Sequence, residues 1–484
     1  MEDKATLDLP RQDRTASDVN ASSARILLTQ HAWLWLLFIT VVACALRAFR
    51  LGARSLNMDE AFGSFYARVD WAGFFNYLPP NQFIMLLYYL LLRAWVQVFP
   101  QAEQLRILSV IFGSLTVPAI YLVARRAFGT MTALTAAVLL AVNPLAIRLS
   151  QAGRSYSLAI LLVTLAGWSA VQLLKGPSRR TSFAFAASAA AAVYAHFLAI
   201  LTVAAQSLIV AWNLRRRPAS LLASQGLLAL LLVPLAVLLL ASRGTNLVWL
   251  EPFNLKQLLE VFYALTLVKG RSLLYVLAWW FALAVVFRPS ERRIGAVFCL
   301  AWLVLPIVLG VIFSLFRPVF VDRYLSFCLP ASVLLAAVGV ARLSAISRAG
   351  AAALLGLIIL HSASSIRFYF RHVAEEENWR GAIAYMLSNA QSGDELVIEP
   401  FTNFVFDYYR DRRGPPTEGL RTARSMQEAT TSEPAPATIW FMGRGSDRGR
   451  VNAFLASQAT YCETEEPKKV DSLAVWKLRP CGKE

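Results

Sequence analysis

The sequence predicts a polytopic α-helical membrane protein, with about eleven transmembrane helices, external juxtamembrane helices and a small external C-terminal α/β domain. Of its 484 residues, 57% are hydrophobic and only 16% are charged, whereas soluble domains are about half apolar and about a quarter charged. The apolar residues are concentrated in runs of roughly 17–25 residues, the length that crosses a hydrocarbon core. Because a chain in lipid must satisfy its own backbone polar groups, we expect these runs to be helices.

The expected membrane spans follow these apolar runs along the chain. In order, they are 31–47, 105–124, 130–147, 156–174, 182–196, 198–213, 220–241, 271–287, 294–316, 324–342 and 350–366. Two further apolar runs, 83–99 and 256–268, are interpreted as juxtamembrane or re-entrant helices at the outer surface. A crossing at 83–99 would reverse the sidedness of most later loops, and 256–268 is short and amphipathic.

The basic residues indicate the orientation of the chain. They are concentrated in the N-terminal tail and in every second loop, at Lys4, Arg11, Arg14, Arg25, Arg125, Arg126, Lys175, Arg179, Arg180, Arg215, Arg216, Arg217, Arg288, Arg292, Arg293, Arg342 and Arg348. The positive-inside rule makes that side cytoplasmic. We therefore expect a multi-pass protein of the plasma (inner) membrane, with its N-terminus in the cytoplasm and its C-terminal domain outside.

The sequence divides into three parts. Residues 1–30 are polar and mixed in charge, which is typical of a disordered cytoplasmic tail. Residues 31–366 are expected to form the membrane domain, whose first external loop, 48–104, is long. Residues 367–484 are expected to form an external α/β domain, with a helix at 379–389, strands at 396–399, 438–442 and 473–478, and a loop at 411–436.

Charge and cysteine content bear on the partners and the compartment. The net charge of +17 does not indicate nucleic-acid binding, because no basic stripe interleaved with aromatic residues occurs in a soluble segment. Cys462 and Cys481 lie in the expected external domain, where thiols oxidise. We expect these two cysteines to form a disulfide, with two free thiols as the alternative.

Two adjacent carboxylates, Asp59 and Glu60, follow the first expected span. A carboxylate pair at the membrane surface suits a general base or a divalent-cation site. The structural alternative is a helix N-terminus, capped by Asn57 or Asp59 and with Glu60 in its first turn.

Arginines on the outer side of the membrane contradict the positive-inside bias. Arg154 and Arg323 both lie at expected outer helix ends. They either snorkel or bind an anion such as a lipid phosphate. His196 also lies at an outer helix end, and a packed core histidine is the alternative there, because no second histidine stands at metal-ligand spacing.

The order of these features resembles the GT-C superfamily of membrane glycosyltransferases, and in particular the branch of protein O-mannosyltransferases, bacterial aminoarabinose transferases and Rgt-like enzymes. The resemblance covers roughly residues 31–345 and lies in the order and sidedness of several short motifs. They are Leu56–Ala61, Tyr88–Trp95, Leu105-Arg106, Ala124–Gly129, Asn143-Pro144, Ser150–Tyr156, Tyr194–Phe197, and Arg323–Leu325 with Pro330.

The resemblance implies an enzyme that transfers a sugar from a polyprenyl-phosphate donor to a lipid, glycan or protein acceptor at the outer face. Asp59 matches the acidic residue of the family's first loop and would be the general base or the ligand of a divalent cation, with Glu60 assisting. Arg154, Tyr156 and Arg323 would hold the donor phosphate, where a cation stabilises the leaving group. The further candidates for substrate contacts are Asn81, Gln82, His196 and Tyr324.

Two departures from the family pattern affect the expected site. Ala152 stands where the family often has a glutamate, so the metal option rests on Asp59. The segment 78–82 lacks the family's usual histidine or lysine before its prolines, so the acceptor or sugar contacts are expected to differ.

Two other classes of function compete with the enzyme interpretation. A transporter or flippase of lipid-linked sugars would also need outward arginines, but it is expected to show inverted repeats and broken midplane helices. The sequence shows no clear repeat, and its polar residues cluster at one face. A membrane scaffold with an external binding domain would not need Asp59 and Glu60 beside outward arginines.

Overall fold

The computed structural model describes residues 30–76, 85–99, 104–241, 252–266, 272–316, 320–373, 377–400, 402–411, 419–431, 435–444, 447–458, 460–463 and 465–482. Within these ranges the chain forms a large bundle of apolar helices, followed by a smaller unit that contains a β-sheet. The predicted combination of an apolar helical bundle and a small C-terminal α/β unit is confirmed.

The bundle is built from helices of very different lengths. They are α1 (Ala32–Ala48), α2 (Met58–Tyr66), α3 (Trp71–Asn76), α4 (Leu86–Val98), α5 (Leu105–Phe128), α6 (Thr130–Ala141), α7 (Pro144–Ser150), α8 (Tyr156–Lys175), α9 (Arg179–Ala195), α10 (Ala199–Leu214), α11 (Pro218–Leu221), α12 (Leu227–Ala241), α13 (Leu255–Leu265), α14 (Leu273–Phe287), α15 (Arg293–Ser314), α16 (Leu329–Ser344) and α17 (Arg348–His372). A π-helical turn, Leu222–Gly226, joins α11 to α12, and a 3₁₀ segment, Asp322–Cys328, leads into α16.

Several of these helices have the length and composition of membrane spans. Among the described residues, six helices qualify alone: Leu105–Phe128, Tyr156–Lys175, Pro218–Leu240, Arg293–Ser314, Arg323–Ser344 and Arg348–His372. The bent pair α6–α7 makes a seventh candidate, and α1, α4, α10 and α14 are shorter apolar helices. Every predicted span coincides with a helix or with consecutive helices, but the count of eleven crossings stays a prediction.

The span predicted at 130–147 coincides with a bent pair of helices instead of one continuous helix. It is divided into α6 and α7, which meet at 58°. The Asn143 side chain caps α7 by accepting a hydrogen bond from the Ala146 N–H at 3.0 Å. Pro144 begins α7 and disfavours helical geometry at the residue before it, so the chain bends here. The helix α7 ends at Ser150, directly before the turn that carries Arg154.

The helices α14 and α16 pack so closely that their contact depends on a glycine. A Cβ atom added at Gly339 would lie 1.8 Å from the carbonyl oxygen of Ala278. Small residues permit such backbone approach between membrane helices. At Gly356 of α17, by contrast, an added Cβ would meet no atom within 4 Å.

The C-terminal unit is a mixed sheet with helices packed against it. Its elements are α18 (Trp379–Asn389), β1 (Glu395–Val397), α19 (Thr402–Arg410), β2 (Arg421–Ala423), α20 (Met426–Thr430), β3 (Ile439–Arg444), α21 (Arg448–Ser457), β4 (Tyr461–Glu463), β5 (Lys468–Val470) and β6 (Leu473–Pro480). The strand order is β2-β1-β3-β6-β4, and β5 also pairs with β6. Strand β1 is parallel to β2 and β3, whereas β6 is antiparallel to β3, β4 and β5.

The predicted helix at 379–389 and the three predicted strands are present, but the predicted loop at 411–436 is not entirely a loop. It contains β2 and α20. Both elements are too short to show a periodic apolar pattern, which is the signal that identifies an element in a sequence. Cys462, in β4, and Cys481, just after β6, are joined by a disulfide, which is the pairing expected from the sequence.

The C-terminal unit packs against the segment between α1 and α5. Ala61 of α2 lies in one apolar cluster with Trp379 and Val405 of the C-terminal unit. The phenolic oxygen of Tyr409 accepts a hydrogen bond from the Leu56 N–H at 2.7 Å. The loop that carries Asp59 is therefore held from one side by the C-terminal unit.

The close approach of α14 and α16 predicts a strong effect of a single methyl group. Gly339→Ala should lower the free energy of unfolding by about 1–3 kcal/mol, because the added atom overpacks the contact. Thermal unfolding of the purified protein in detergent measures this loss. Gly356→Ala is the matched control and should not destabilise the protein, since alanine favours helix and meets no neighbour. Equal melting temperatures for wild type and Gly339→Ala would show that the two helices do not pack this closely.

Candidate active site

The helix α2 begins at a defined residue because Asn57 caps it. The Asn57 Oδ1 accepts a hydrogen bond from the Glu60 N–H at 2.9 Å, and the Glu60 Oε2 accepts one from the Asn57 N–H at 3.1 Å. This reciprocal capping box satisfies N–H groups that a helix start otherwise leaves unpaired. The helix-start interpretation is therefore correct for Asn57, and it places Asp59 and Glu60 together in the first turn.

Glu60 is completely buried in a network of charge-assisted hydrogen bonds. The Arg106 Nε donates to Oε1 at 2.9 Å, and the Arg106 Nη2 donates to Oε2 at 2.7 Å. The Gly153 N–H also donates to Oε1, at 2.7 Å, and an Arg54 nitrogen lies 3.7 Å from the same oxygen. Both carboxylate oxygens of Glu60 are therefore engaged.

Arg106 extends this network to the backbone of the segment between α1 and α2. Its Nη1 donates to the carbonyl oxygens of Leu51 at 3.0 Å and Arg54 at 2.8 Å. Its Nη2 donates to the carbonyl oxygen of Ser55 at 2.9 Å. A guanidinium offers five N–H donors in a rigid fork, which suits several acceptors at once. One side chain thus ties the start of α5 to the chain that leads into α2.

The environment of Glu60 determines its charge. Burial alone would raise its pKa, but the charge and hydrogen bonds of Arg106, the charge of Arg54 and the Gly153 N–H outweigh that effect and lower the pKa to about 2. Glu60 is therefore an anion at neutral pH. It holds segments together and is poorly suited to exchange protons with a substrate.

Asp59 has the opposite environment, although it is the preceding residue. Its side chain is 59% exposed, and its Oδ1 lies 3.2 Å from the Nη1 of Arg154, whose side chain is only 14% exposed. Burial would lower the pKa of Arg154, but the charge of Asp59 and nearby tyrosines raise it. An accessible carboxylate therefore adjoins a buried guanidinium.

Other predicted residues gather around this pair. Arg154 interacts electrostatically with Tyr156 and Tyr324, and Arg323 does so with Asp59, Tyr156 and Arg154. The Arg323 guanidinium lies 5.6 Å from the centre of the Tyr324 ring. Three segments that are distant in sequence thus form one group, which we call the catalytic cluster and which consists of Asp59, Arg154, Tyr156, Arg323 and Tyr324.

His196 packs against the catalytic cluster. Its ring centre lies 5.4 Å from that of Tyr156, 5.5 Å from that of Tyr324 and 5.1 Å from that of Phe327. His196 is fully buried, and within the described part of the chain neither of its ring nitrogens has a hydrogen-bond partner. A buried polar atom without a partner costs free energy, so His196 suits contact with a bound substrate.

Two predicted site residues lie outside the described part of the chain, and two residues without a predicted role lie at the site. Asn81 and Gln82, the remaining predicted substrate contacts, lie outside the described residues. Tyr89 of α4 interacts electrostatically with Asp59 and Arg154 and had no predicted role. Arg106 had no predicted role either, although its position carries a usable signal. It is an arginine at the end of an apolar helix, the feature that singled out Arg154 in the sequence.

The charges of the catalytic cluster do not fit a divalent cation. Hard cations bind several oxygen ligands, commonly from more than one carboxylate. Within the described residues there is no group of three or more His, Cys, Asp or Glu side chains that could hold a metal ion. Asp59 faces the guanidinium of Arg154, and the neighbouring carboxylate of Glu60 is engaged by Arg106. We therefore derive no step from a metal.

The buried pair predicts a specific pattern of stabilities. Glu60→Gln or Arg106→Met alone leaves a buried charge without its partner, which is expected to cost about 3–5 kcal/mol. The double variant removes both charges and should lose clearly less than the sum of the two single losses. Thermal unfolding in detergent measures all three, and strictly additive losses would contradict a coupled pair. Glu260→Gln is the control, because its pair with Lys256 is exposed and should contribute less than about 1 kcal/mol.

Comparison with known proteins gives one sequence match and several matches of fold. Residues 84–249 match the family model of dolichyl-phosphate-mannose-protein mannosyltransferases. No individual protein of curated function matches the chain significantly.

Among solved structures, ArnT from Cupriavidus metallidurans bound to undecaprenyl phosphate is similar, with a TM-score of 0.58 at 14% identity, over 92% of this chain and 98% of that chain. The Archaeoglobus fulgidus oligosaccharyltransferase in the apo form gives a TM-score of 0.51 at 11% identity, over 88% of this chain and 71% of that one. AglB from the same organism, in complex with an inhibitory peptide and a dolichol-phosphate, gives a TM-score of 0.50 at 11% identity. The match covers 87% of this chain and 71% of that chain.

At these identities the solved structures establish the fold, and the family model adds a match in sequence. The family model and the solved structures both agree with the family resemblance that the sequence motifs indicated. Residues 84–249 are thus similar in sequence to the dolichyl-phosphate-mannose-protein mannosyltransferases, and the chain shares its fold with ArnT and AglB.

Proposed function

We propose that this protein is an inverting glycosyltransferase, which moves a sugar from a polyprenyl-phosphate donor to a lipid, glycan or protein acceptor at the outer face of the inner membrane. The observation that carries the proposal is the exposed carboxylate of Asp59 against the buried guanidinium of Arg154, beside Arg323. The similar structures of ArnT and AglB, which hold undecaprenyl phosphate and dolichol-phosphate, support a lipid phosphate as part of the donor.

Arg154 and Arg323 suit the phosphate of the donor. Two guanidinium groups in one cluster repel each other unless an anion lies between them. Guanidinium groups bind phosphate oxygens through paired N–H donors, and the hydroxyls of Tyr156 and Tyr324 can donate to the same oxygens. These groups are in place before the reaction, so they would stabilise the charge that develops on the leaving phosphate.

Asp59 suits the general base. The hydroxyl or amine of the acceptor attacks the anomeric carbon of the sugar, while the bond from that carbon to the phosphate oxygen breaks. The bonding electron pair leaves with the polyprenyl phosphate, and Asp59 takes the proton of the attacking group. A single displacement of this kind inverts the configuration at the anomeric carbon.

The ion pair between Asp59 and Arg154 couples these two roles. While the pair is intact, the guanidinium of Arg154 holds the carboxylate of Asp59. A donor phosphate at Arg154 and Arg323 competes with Asp59 for the same guanidinium. Binding of the donor therefore frees Asp59 for the acceptor, which favours donor binding before acceptor binding.

The remaining predicted residues have supporting roles in this proposal. Glu60 was expected to assist catalysis directly, but its engaged oxygens suit a positioning residue that acts through Arg106 and Gly153. His196 is proposed to contact the bound donor, because its buried ring packs on Tyr156 and Tyr324. Asn81 and Gln82 stay proposed substrate contacts.

Removal of the base should abolish transfer without unfolding the protein. Asp59→Asn is expected to reduce turnover about 10²–10⁴-fold, the usual contribution of a general base, while the protein stays folded, because Asp59 is 59% exposed and the amide oxygen of asparagine can still accept a hydrogen bond from Arg154. The measurement is transfer from a polyprenyl-phosphate sugar to acceptor by purified protein. Asp70→Asn is the control, because Asp70 is another exposed carboxylate of the same loop, where it accepts from the Gly73 N–H. Full turnover by Asp59→Asn would reject Asp59 as the base.

The orientation proposed for the chain is testable with reporter fusions. The basic loops place the N-terminus in the cytoplasm and residues 367–484 outside. Alkaline phosphatase, which is active outside the cytoplasm, should therefore be active when fused after residue 366 and inactive when fused after Arg126 or Arg217. The reverse pattern would place the catalytic cluster on the cytoplasmic side.

A further inference from the structure

A groove between α1 and α17 shares no lining residue with the catalytic cluster. Its volume is about 590 Å³, which is within the usual range of ligand pockets. Its walls are apolar and include Leu46, Val142, Ile359 and Ile366. Three arginines lie along the same groove, and we call them the arginine rim: Arg50, Arg367 and Arg371.

The arginine rim concentrates positive charge at one end of this groove. Arg367 and Arg371 are four residues apart on α17, a spacing at which like charges destabilise a helix. All three side chains are exposed. Within the described part of the chain, none of the three forms an ion pair with a carboxylate. The rim is therefore complementary to an anion.

Contacts between the ends of α1 and α17 fix the position of the arginine rim. Arg50 has a φ of 54°, a conformation that residues other than glycine rarely adopt. Its guanidinium donates a hydrogen bond to the carbonyl oxygen of Phe370. The rings of Phe49 and Phe370 are in edge-to-face contact, with centroids 5.0 Å apart. Contacts within the chain therefore form the groove and position its rim.

We propose that this groove binds one anionic diacyl phospholipid of the outer leaflet, with its phosphate at the arginine rim and an acyl chain along the apolar wall. The helix α17 has the length and composition of a membrane span, so the wall that it contributes is accessible to lipid chains. Arginine pairs with phosphate oxygens through two N–H donors. A net negative headgroup is preferred over a zwitterionic one, because each basic residue attracts an anionic lipid by charge.

The groove also contacts the turn that carries Arg154. The Gln151 Nε2 donates to the carbonyl oxygen of Phe49 at 2.7 Å, and its Oε1 accepts from the Tyr369 hydroxyl at 2.9 Å. Gln151 thereby joins the outer ends of α1 and α17 to the segment that continues to Arg154. A lipid that holds α1 against α17 stabilises this turn, and the bound lipid should therefore raise the melting temperature.

The binding test uses full-length protein in nanodiscs that contain equal amounts of phosphatidylglycerol and phosphatidylcholine. Native mass spectrometry should show one phosphatidylglycerol retained in preference to phosphatidylcholine. The variant R367Q/R371Q should weaken that retention about tenfold or more, because two basic contacts are lost. The control R179Q/R180Q removes the same charge from exposed arginines of α9 and should retain the lipid as the wild type does.

A second variant tests the groove separately from the rim. Ala363 lines the groove, and Ala363→Trp fills it while leaving all three arginines. This variant should also fail to retain the lipid. Phosphatidylglycerol should not raise its melting temperature, as it does for the wild type. Unchanged retention in R367Q/R371Q or in Ala363→Trp would overturn the proposal, since retention would then not depend on the arginine rim or on the groove. So would an equal loss in R179Q/R180Q, or preferential retention of polyprenyl phosphate at this groove.

Discussion

The ion pair between Glu60 and Arg106 holds together the segments on which the catalytic cluster depends. Arg106 engages both oxygens of Glu60 and three backbone carbonyls of the segment between α1 and α2. Glu60 also accepts from the Gly153 N–H, so the turn that carries Arg154 is held to the same point. The C-terminal unit supports this segment from the other side, through Tyr409. If the pair were lost, Asp59 and Arg154 would no longer be held at a defined separation.

Two neighbouring carboxylates are thus suited to different tasks because their environments differ. Glu60 is buried, and its pKa is lowered to about 2 by Arg106 and further partners, so it stays charged and structural. Asp59 is 59% exposed and has Arg154 as its ion-pair partner, so it can be released when a phosphate takes that partner. The same principle of pairing guanidinium groups with phosphate recurs at the arginine rim, where the apolar walls favour a membrane lipid.

The sequence predicts most of the helices, because each apolar run is a local signal, and every predicted span coincides with helical structure. It did not predict the bend between α6 and α7, although Asn143 and Pro144 are a local signal for a helix start. The short elements β2 and α20 lacked a periodic pattern. Within the site, Asp59 and Arg154 were found from residue type and sidedness. The role of Arg106 was missed, because its partner Glu60 lies 46 residues away and only the tertiary structure joins them.

The central claim is that a lipid phosphate displaces Asp59 from Arg154 and thereby frees the base. The most direct test is an experimental structure of the full-length protein in nanodiscs with a polyprenyl phosphate bound. We predict that the phosphate lies between Arg154 and Arg323, and that the carboxylate of Asp59 has moved out of contact with Arg154. A phosphate bound elsewhere, for example at Arg367 and Arg371, with the Asp59–Arg154 pair intact, would contradict this account.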